Sequence, residues 1–203
     1  MLIMDKNKHD LVFLEMLESI KKLSDDSKTQ VATLIVNGDN DIISYGSNSL
    51  PNGATYNEKR CTSPLKDKWI LHAERNAIYK AARLGITLKD TKMYCTYFPC
   101  ADCSRAIIQA GVKKLYTEKP DFNHHKWGES WIEALIMLRE CGVEVIWTNE
   151  VTHWTVEHRS EEDKWYLIGN CENGPISEEW FNSKSSLMVV AKANDIQINW
   201  DEV

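Results

Sequence analysis

His72 and Glu74 cannot both serve one point in space from inside a helix. Two steps along an α-helix turn a side chain by about 200°, so the pair diverges unless the helix begins beside it. The residues that follow are nevertheless helical. Ile70, Ala73, Ala77, Ile78, Ala81 and Leu84 share one stripe, and Gly85 closes it. The spacing therefore predicts a helix that starts within about two residues of His72. Further on, Pro99-Cys100-Ala101-Asp102-Cys103 opens a second helix, Ala101 to Ala110, with Pro before it and Gly111 after it. The expectation is a site held between two helix N-termini.

The residue types at that site are those of a metal centre. Catalytic zinc takes three protein ligands and keeps one position open for water. His72, Cys100 and Cys103 supply three ligands, and both the metal and the helix N-terminus favour thiolate over thiol. Zinc would activate the water, and Glu74 beside it is the candidate catalytic carboxylate that moves protons. Two other readings compete: a redox CxxC, or a structural zinc completed by Cys61 or Cys95. The opening residues, Met1 to Asp10, contain no apolar signal segment, so a cytoplasmic protein is expected and metal or redox use of CxxC is favoured over disulfides. Cys95 and Cys141 lie in apolar runs and are expected in the core. Cys61 and Cys171 are unassigned.

Around the site the chain alternates helix and strand. Leu11–Leu23 reads as a helix capped by Asp10. Val31–Val36 and Asp41–Tyr45 read as a hairpin about Asn37-Gly38. Residues 46–68 carry no period, and loops this long are often functional. Strands follow at Lys92–Tyr97, Lys114–Thr117 and Val143–Trp147, and a helix spans Glu129–Cys141. The predicted fold is α/β: a mixed five-stranded sheet with helices on both faces. Beyond residue 150 the composition shifts. Residues 151–203 hold four basic and ten acidic side chains, so the whole net charge of −6 resides there. The expected division is 1–150 for the site-bearing domain and 151–203 for a small acidic, Trp-containing α+β appendage. A hairpin is expected at His153–Val156 and Lys164–Ile168, then a helix from Ser177 or Asn182 to Ala193 and a strand at Ile196–Asn199. With no basic patch, a nucleic-acid partner is disfavoured, and no apolar run is long enough for a membrane span.

The motif His72-Ala73-Glu74 with Pro99-Cys100-Ala101-Asp102-Cys103 resembles the signature of zinc-dependent nucleobase deaminases. Tyr97-Phe98-Pro99-Cys100, Ala106–Gly111 and Asn48-Ser-Leu-Pro51-Asn-Gly53 resemble the deoxycytidylate (dCMP) deaminase branch, over roughly residues 8–148. The resemblance implies a cytidine-deaminase-like three-layer sandwich, a Zn²⁺ cofactor, and hydrolysis of dCMP to dUMP and ammonia with Glu74 as proton shuttle, which would supply dUMP for thymidylate synthesis. For the substrate it implies Asn48 at the sugar hydroxyl and the Ala73 backbone at the pyrimidine edge. Tyr97 and Phe98 are candidate walls of the base pocket. Arg60 and Lys66 are candidates for the 5′-phosphate, which needs cationic donors. His124, with His125 and Trp127, sits in a loop that could close over the substrate. A homo-oligomer, such as a hexamer, is also implied. Many relatives carry Gly-Tyr-Asn-Gly where this chain has Gly46-Ser47-Asn48-Ser49, a stretch linked to control by dCTP and dTTP, so such effectors are an open question here. The alternatives are a deaminase of the same motif acting on 5-substituted dCMP, guanine or tRNA adenosine, and a non-enzymatic zinc-scaffolded binding protein.

Overall fold

A computed structural model describes residues 3–148, 153–171, 174–181, 183–184 and 186–188. The chain divides into two compact units, Met1–Trp147 and Thr148–Val203.

In the first unit the elements run α1 (Ile3–Lys21), β1 (Ala32–Val36), β2 (Ile42–Ser47), a 3₁₀ turn (Glu58–Arg60), α2 (Lys66–Trp69), α3 (Ala73–Arg83), β3 (Lys92–Cys95), α4 (Ala101–Ala110), β4 (Lys114–Thr117), α5 (Gly128–Glu140) and β5 (Glu144–Trp147). The expected mixed sheet is present, in the order β2-β1-β3-β4-β5. β1 pairs antiparallel with both β2 and β3, while β3–β4 and β4–β5 are parallel. The parallel pairs are those joined by helices, as right-handed crossovers require.

Strand alternation divides the core into two layers. Leu34, Val36, Tyr94 and Tyr116 meet Phe13, Leu17 and Ile20 of α1. Ile35, Met93, Cys95 and Leu115 meet Ala77 and Ala81 of α3, Ile107 of α4, and Ala134 and Leu138 of α5. One helix thus covers one face and three cover the other.

Several local expectations are corrected. α1 begins well before Asp10, so Asp10 is no cap; its carboxylate instead accepts a hydrogen bond from the buried Tyr94 hydroxyl. Ile70 and Leu71 precede α3 rather than starting it, because Leu71 is tied to Ser49 through two backbone hydrogen bonds. Cys141 is exposed just past the end of α5, not in the core; Cys95 is buried, and so is Cys61.

The second unit forms a three-stranded antiparallel meander of β6 (His153–Arg159), β7 (Lys164–Cys171) and β8 (Gly174–Phe181). Its first hairpin is the expected one. A strand occupies 174–181, where a helix from Ser177 was one expectation. The expected strand at Ile196–Asn199 lies outside the described residues. Among the described residues, no helix is long and apolar enough to cross a membrane.

Candidate active site

Both site-bearing helices begin at residues whose side chains are not spent on capping. His72 is the N-cap of α3, extended at φ −68°, ψ 148°, and Cys100 is the N-cap of α4, at φ −69°, ψ 167°. Neither makes a side-chain capping hydrogen bond. Ser, Thr, Asp or Asn usually takes this position and turns an oxygen back onto the helix amides. An imidazole and a thiol instead project off the helix ends and meet. His72 Nδ1 lies 3.6 Å from Cys100 Sγ and 3.5 Å from Cys103 Sγ. The three donor atoms all fall within 4.8 Å of one another.

Charge at the cluster follows from these contacts. The Cys100 thiol is lowered to about 4, because the Cys103 thiol donates to it and His72 lies beside it. The same bond, together with burial, drives Cys103 far up. His72 is held above its ordinary value, chiefly by its hydrogen bond with Cys100. Without a metal the two sulfurs share one proton, and a cation in that place lets both be thiolates. Two sulfurs and an imidazole are a donor set that suits zinc. No fourth Cys or His joins the cluster among the described residues, so the donors present fit a zinc with an open position. Glu74, in the first turn of α3, is only 4% exposed. Burial pushes its carboxyl up, against the pull of His72.

The first turn of α3 is seated on β2. Gly46 faces it without a side chain, and Ser44 Oγ donates to the Ala77 carbonyl at 2.7 Å. Asn76 Nδ2 donates to the Ser47 carbonyl at 2.9 Å and to Ser49 Oγ at 2.8 Å, which binds the helix to the start of the long loop. Across the cluster Arg75 is ion-paired with Asp102, which also takes Arg105 at 2.9 Å, so the first turns of α3 and α4 are linked by charge.

The remaining candidates fall in different places. Ala73 is fully buried at the start of α3. Asn48 is buried, and its side chain is engaged with the protein. Oδ1 accepts from Ser24 Oγ at 2.7 Å and from the Val31 amide at 2.8 Å, while Nδ2 donates to the Thr29 carbonyl at 2.7 Å. One amide hydrogen is left for a ligand. Tyr97 is 48% exposed, whereas Phe98 is core, packed against Phe122 and Trp147. Phe98 therefore belongs to the core, only 4% exposed. Lys66 is committed to the buried Asp26 at 2.6 Å, and Arg60 stacks 3.9 Å over Trp69 while donating to the Thr55 carbonyl. Both cations tie down the loop that carries them. His124 Nδ1 accepts from the Lys126 and Trp127 amides, each at 3.2 Å, which shapes the loop before α5. The ring that reaches the site from this loop is Trp127, edge-on to His72 at 6.2 Å between centroids. Ser130, Arg75 and Asn76 were not legible as site residues. Nothing in their sequence spacing sets them apart, because their partners lie in other elements.

Residues 6–119 match the family model described as the cytidine and deoxycytidylate deaminase zinc-binding region. An uncharacterized deaminase in the luxG 3′ region of Aliivibrio fischeri is 35% identical over 136 residues, covering 66% of this chain and 90% of that protein. Human deoxycytidylate deaminase is 36% identical over 98 residues, covering 45% of this chain and 54% of the enzyme, so the chain spans about half the length of that relative. Among solved structures, dCMP deaminase of cyanophage S-TIM5 superposes with a TM-score of 0.53 at 30% identity, over 66% of this chain and 92% of that one. The same enzyme in complex with dCMP and dUMP also gives 0.53, at 29% identity.

Proposed function

Because the chain belongs to the cytidine and deoxycytidylate deaminase family, we propose that it hydrolyses dCMP to dUMP and ammonia. His72, Cys100 and Cys103 would hold zinc, which when bound brings the pKa of a water toward neutrality. Glu74 does the proton work. It accepts one proton from the attacking water and gives it to N3 as C4 becomes tetrahedral, then accepts the second from the new C4 hydroxyl as the carbonyl forms and delivers it to the amino group as ammonia leaves. One water is consumed and one ammonia released. The observation that carries this reading is a carboxylate, almost wholly buried, in the first turn of α3, two residues past the His72 that α3 contributes to the three-donor cluster. Burial makes Glu74 a stronger base than a solvated glutamate.

Around that core, the Ala73 backbone holds the pyrimidine edge, Asn48 offers its spare amide hydrogen to the sugar, and Trp127 forms a side wall against His72. The product would feed thymidylate synthesis in the cytoplasm, and the enzyme would act as a homo-oligomer, with the acidic unit beyond residue 150 as an accessory element. The S-TIM5 enzyme in complex with dCMP and dUMP supports a nucleotide substrate.

The test is ammonia release by the purified protein from dCMP, CMP, deoxycytidine, 5-substituted dCMP and guanine, with dCTP and dTTP added in separate arms. dCMP should be turned over fastest. Turnover of deoxycytidine but not of dCMP would overturn the nucleotide assignment. Zinc binding without ammonia from any substrate would favour the zinc-scaffold alternative.

A further inference from the structure

We propose that Ser130 is a positioning residue for the zinc ligands: from α5 it caps the helix that Cys100 cannot cap while facing His72. The first amides of a helix have no partner within it. In α4 the first bond inside the helix is Ser104 N–H to the Cys100 carbonyl, so the amides up to Cys103 need outside partners. Cys100 holds the N-cap position. The Cys103 amide lies near enough to favour its thiolate, but no conventional capping bond forms. Ser130 Oγ accepts from the Ala101 amide at 3.0 Å, one residue from the ligand.

The turn that carries Ser130 is itself built to stay in place. The Gly128 amide donates to the His124 carbonyl at 2.8 Å, and a Cβ on Gly128 would lie 2.3 Å from the Phe122 carbonyl oxygen. Trp127, the N-cap of α5, meets His72 edge-on. The start of α5 therefore touches both ligand-bearing helix ends: Trp127 at His72, and Ser130 beside Cys100. Removing the Ser130 hydroxyl leaves the Ala101 amide uncapped, loosens the first turn of α4, and with it the direction of the Cys100 sulfur.

This rests on the zinc reading of the site, and its test does not use dCMP, so its failure is distinct from failure of the substrate assignment. Zinc loss to a chromogenic chelator and the sulfur-to-cobalt charge-transfer band of the Co²⁺-substituted protein are measured for four proteins: wild type, Ser130→Ala, Ser130→Thr and Ala134→Gly. Ser130→Ala should lose zinc roughly fivefold faster, the effect of a missing cap, and should shift the cobalt band. Ser130→Thr should restore both. Ala134→Gly weakens α5, the helix that carries Ser130, and removes a buried methyl while leaving the Ser130 hydroxyl in place, and should change neither readout. The proposal is overturned if Ser130→Ala matches wild type in both, or if Ala134→Gly reproduces its effects. A wild type that holds no zinc would overturn the metal reading and this proposal together.

Discussion

Gly46 lies so close to the start of α3 that a Cβ there would sit 2.5 Å from the Ala73 carbonyl oxygen and 2.6 Å from the Ala77 amide nitrogen. Both neighbours are backbone, so neither can rotate away. Gly46→Ala must push α3 off the sheet or bend β2, and should cost about 2–3 kcal/mol. Because α3 carries His72 and Glu74, zinc content should fall as well. Denaturant titration with metal analysis checks this. A variant with wild-type stability and full zinc would show that the contact is not tight.

Glu74→Gln keeps the size and burial of the side chain but removes the proton acceptor. Turnover should drop by about 10²–10⁴ while zinc stays bound. Cys103→Ala should lose the zinc itself, since two donors remain where three are needed. Metal analysis beside the kinetics separates the two effects, and substantial activity in Glu74→Gln would remove the proposed proton route.

The Asp26–Lys66 pair should make stability fall in acid. Burial alone raises the Asp26 carboxyl, but Lys66 and the amides of Lys28 and Thr29 outweigh it and hold it below 3.8. A carboxyl lowered by folding stabilises the protein above its unfolded pKa, and that stability is lost as pH falls through the folded one. Asp26→Asn should therefore cost about 2 kcal/mol at neutral pH, and the gap to wild type should narrow as pH drops below 3.8. Urea melts at pH values on either side of that point give the answer. An unchanged gap would show that the pair is not linked to folding.

Asn48 should be needed for stability before it is needed for substrate. Its side chain joins Ser24, Thr29 and Val31 through three hydrogen bonds. Asn48→Ala leaves those buried groups without partners and should cost about 2–3 kcal/mol. Asn48→Asp keeps the acceptors but sets a carboxylate against the Thr29 carbonyl, and should be no better. Thermal melts without nucleotide test this. A wild-type melting point for Asn48→Ala would return the residue to a purely ligand-binding role.

The legible parts of the molecule were those set by local chemistry. Pro99 and Gly111 bracket α4 at its observed limits, and β4 also matches its expected bounds. The His72–Glu74 spacing required a helix starting there, and α3 starts at Ala73. What could not be read depends on partners distant in the chain. Lys66 looked available for phosphate because Asp26 lies forty residues away, and the two are joined only by folding. Phe98 adjoins the motif but turns into the core toward Phe122 and Trp147. Ser177 was one expected start of a helix, and pairing with β7 makes it strand instead.

The extended conformation of His72 at its helix start has a bearing on engineering. The direction of its imidazole is set by the helix that follows, not by the path the chain takes to reach it. Ser49 and Leu71 pair just before it and close off the intervening excursion. Residues 51–59, nearly all exposed, could then be shortened, lengthened or exchanged for those of another protein while the metal donors keep their aim. A graft confined to that span would change an exposed excursion of the chain and leave His72, Cys100 and Cys103 on their helix ends.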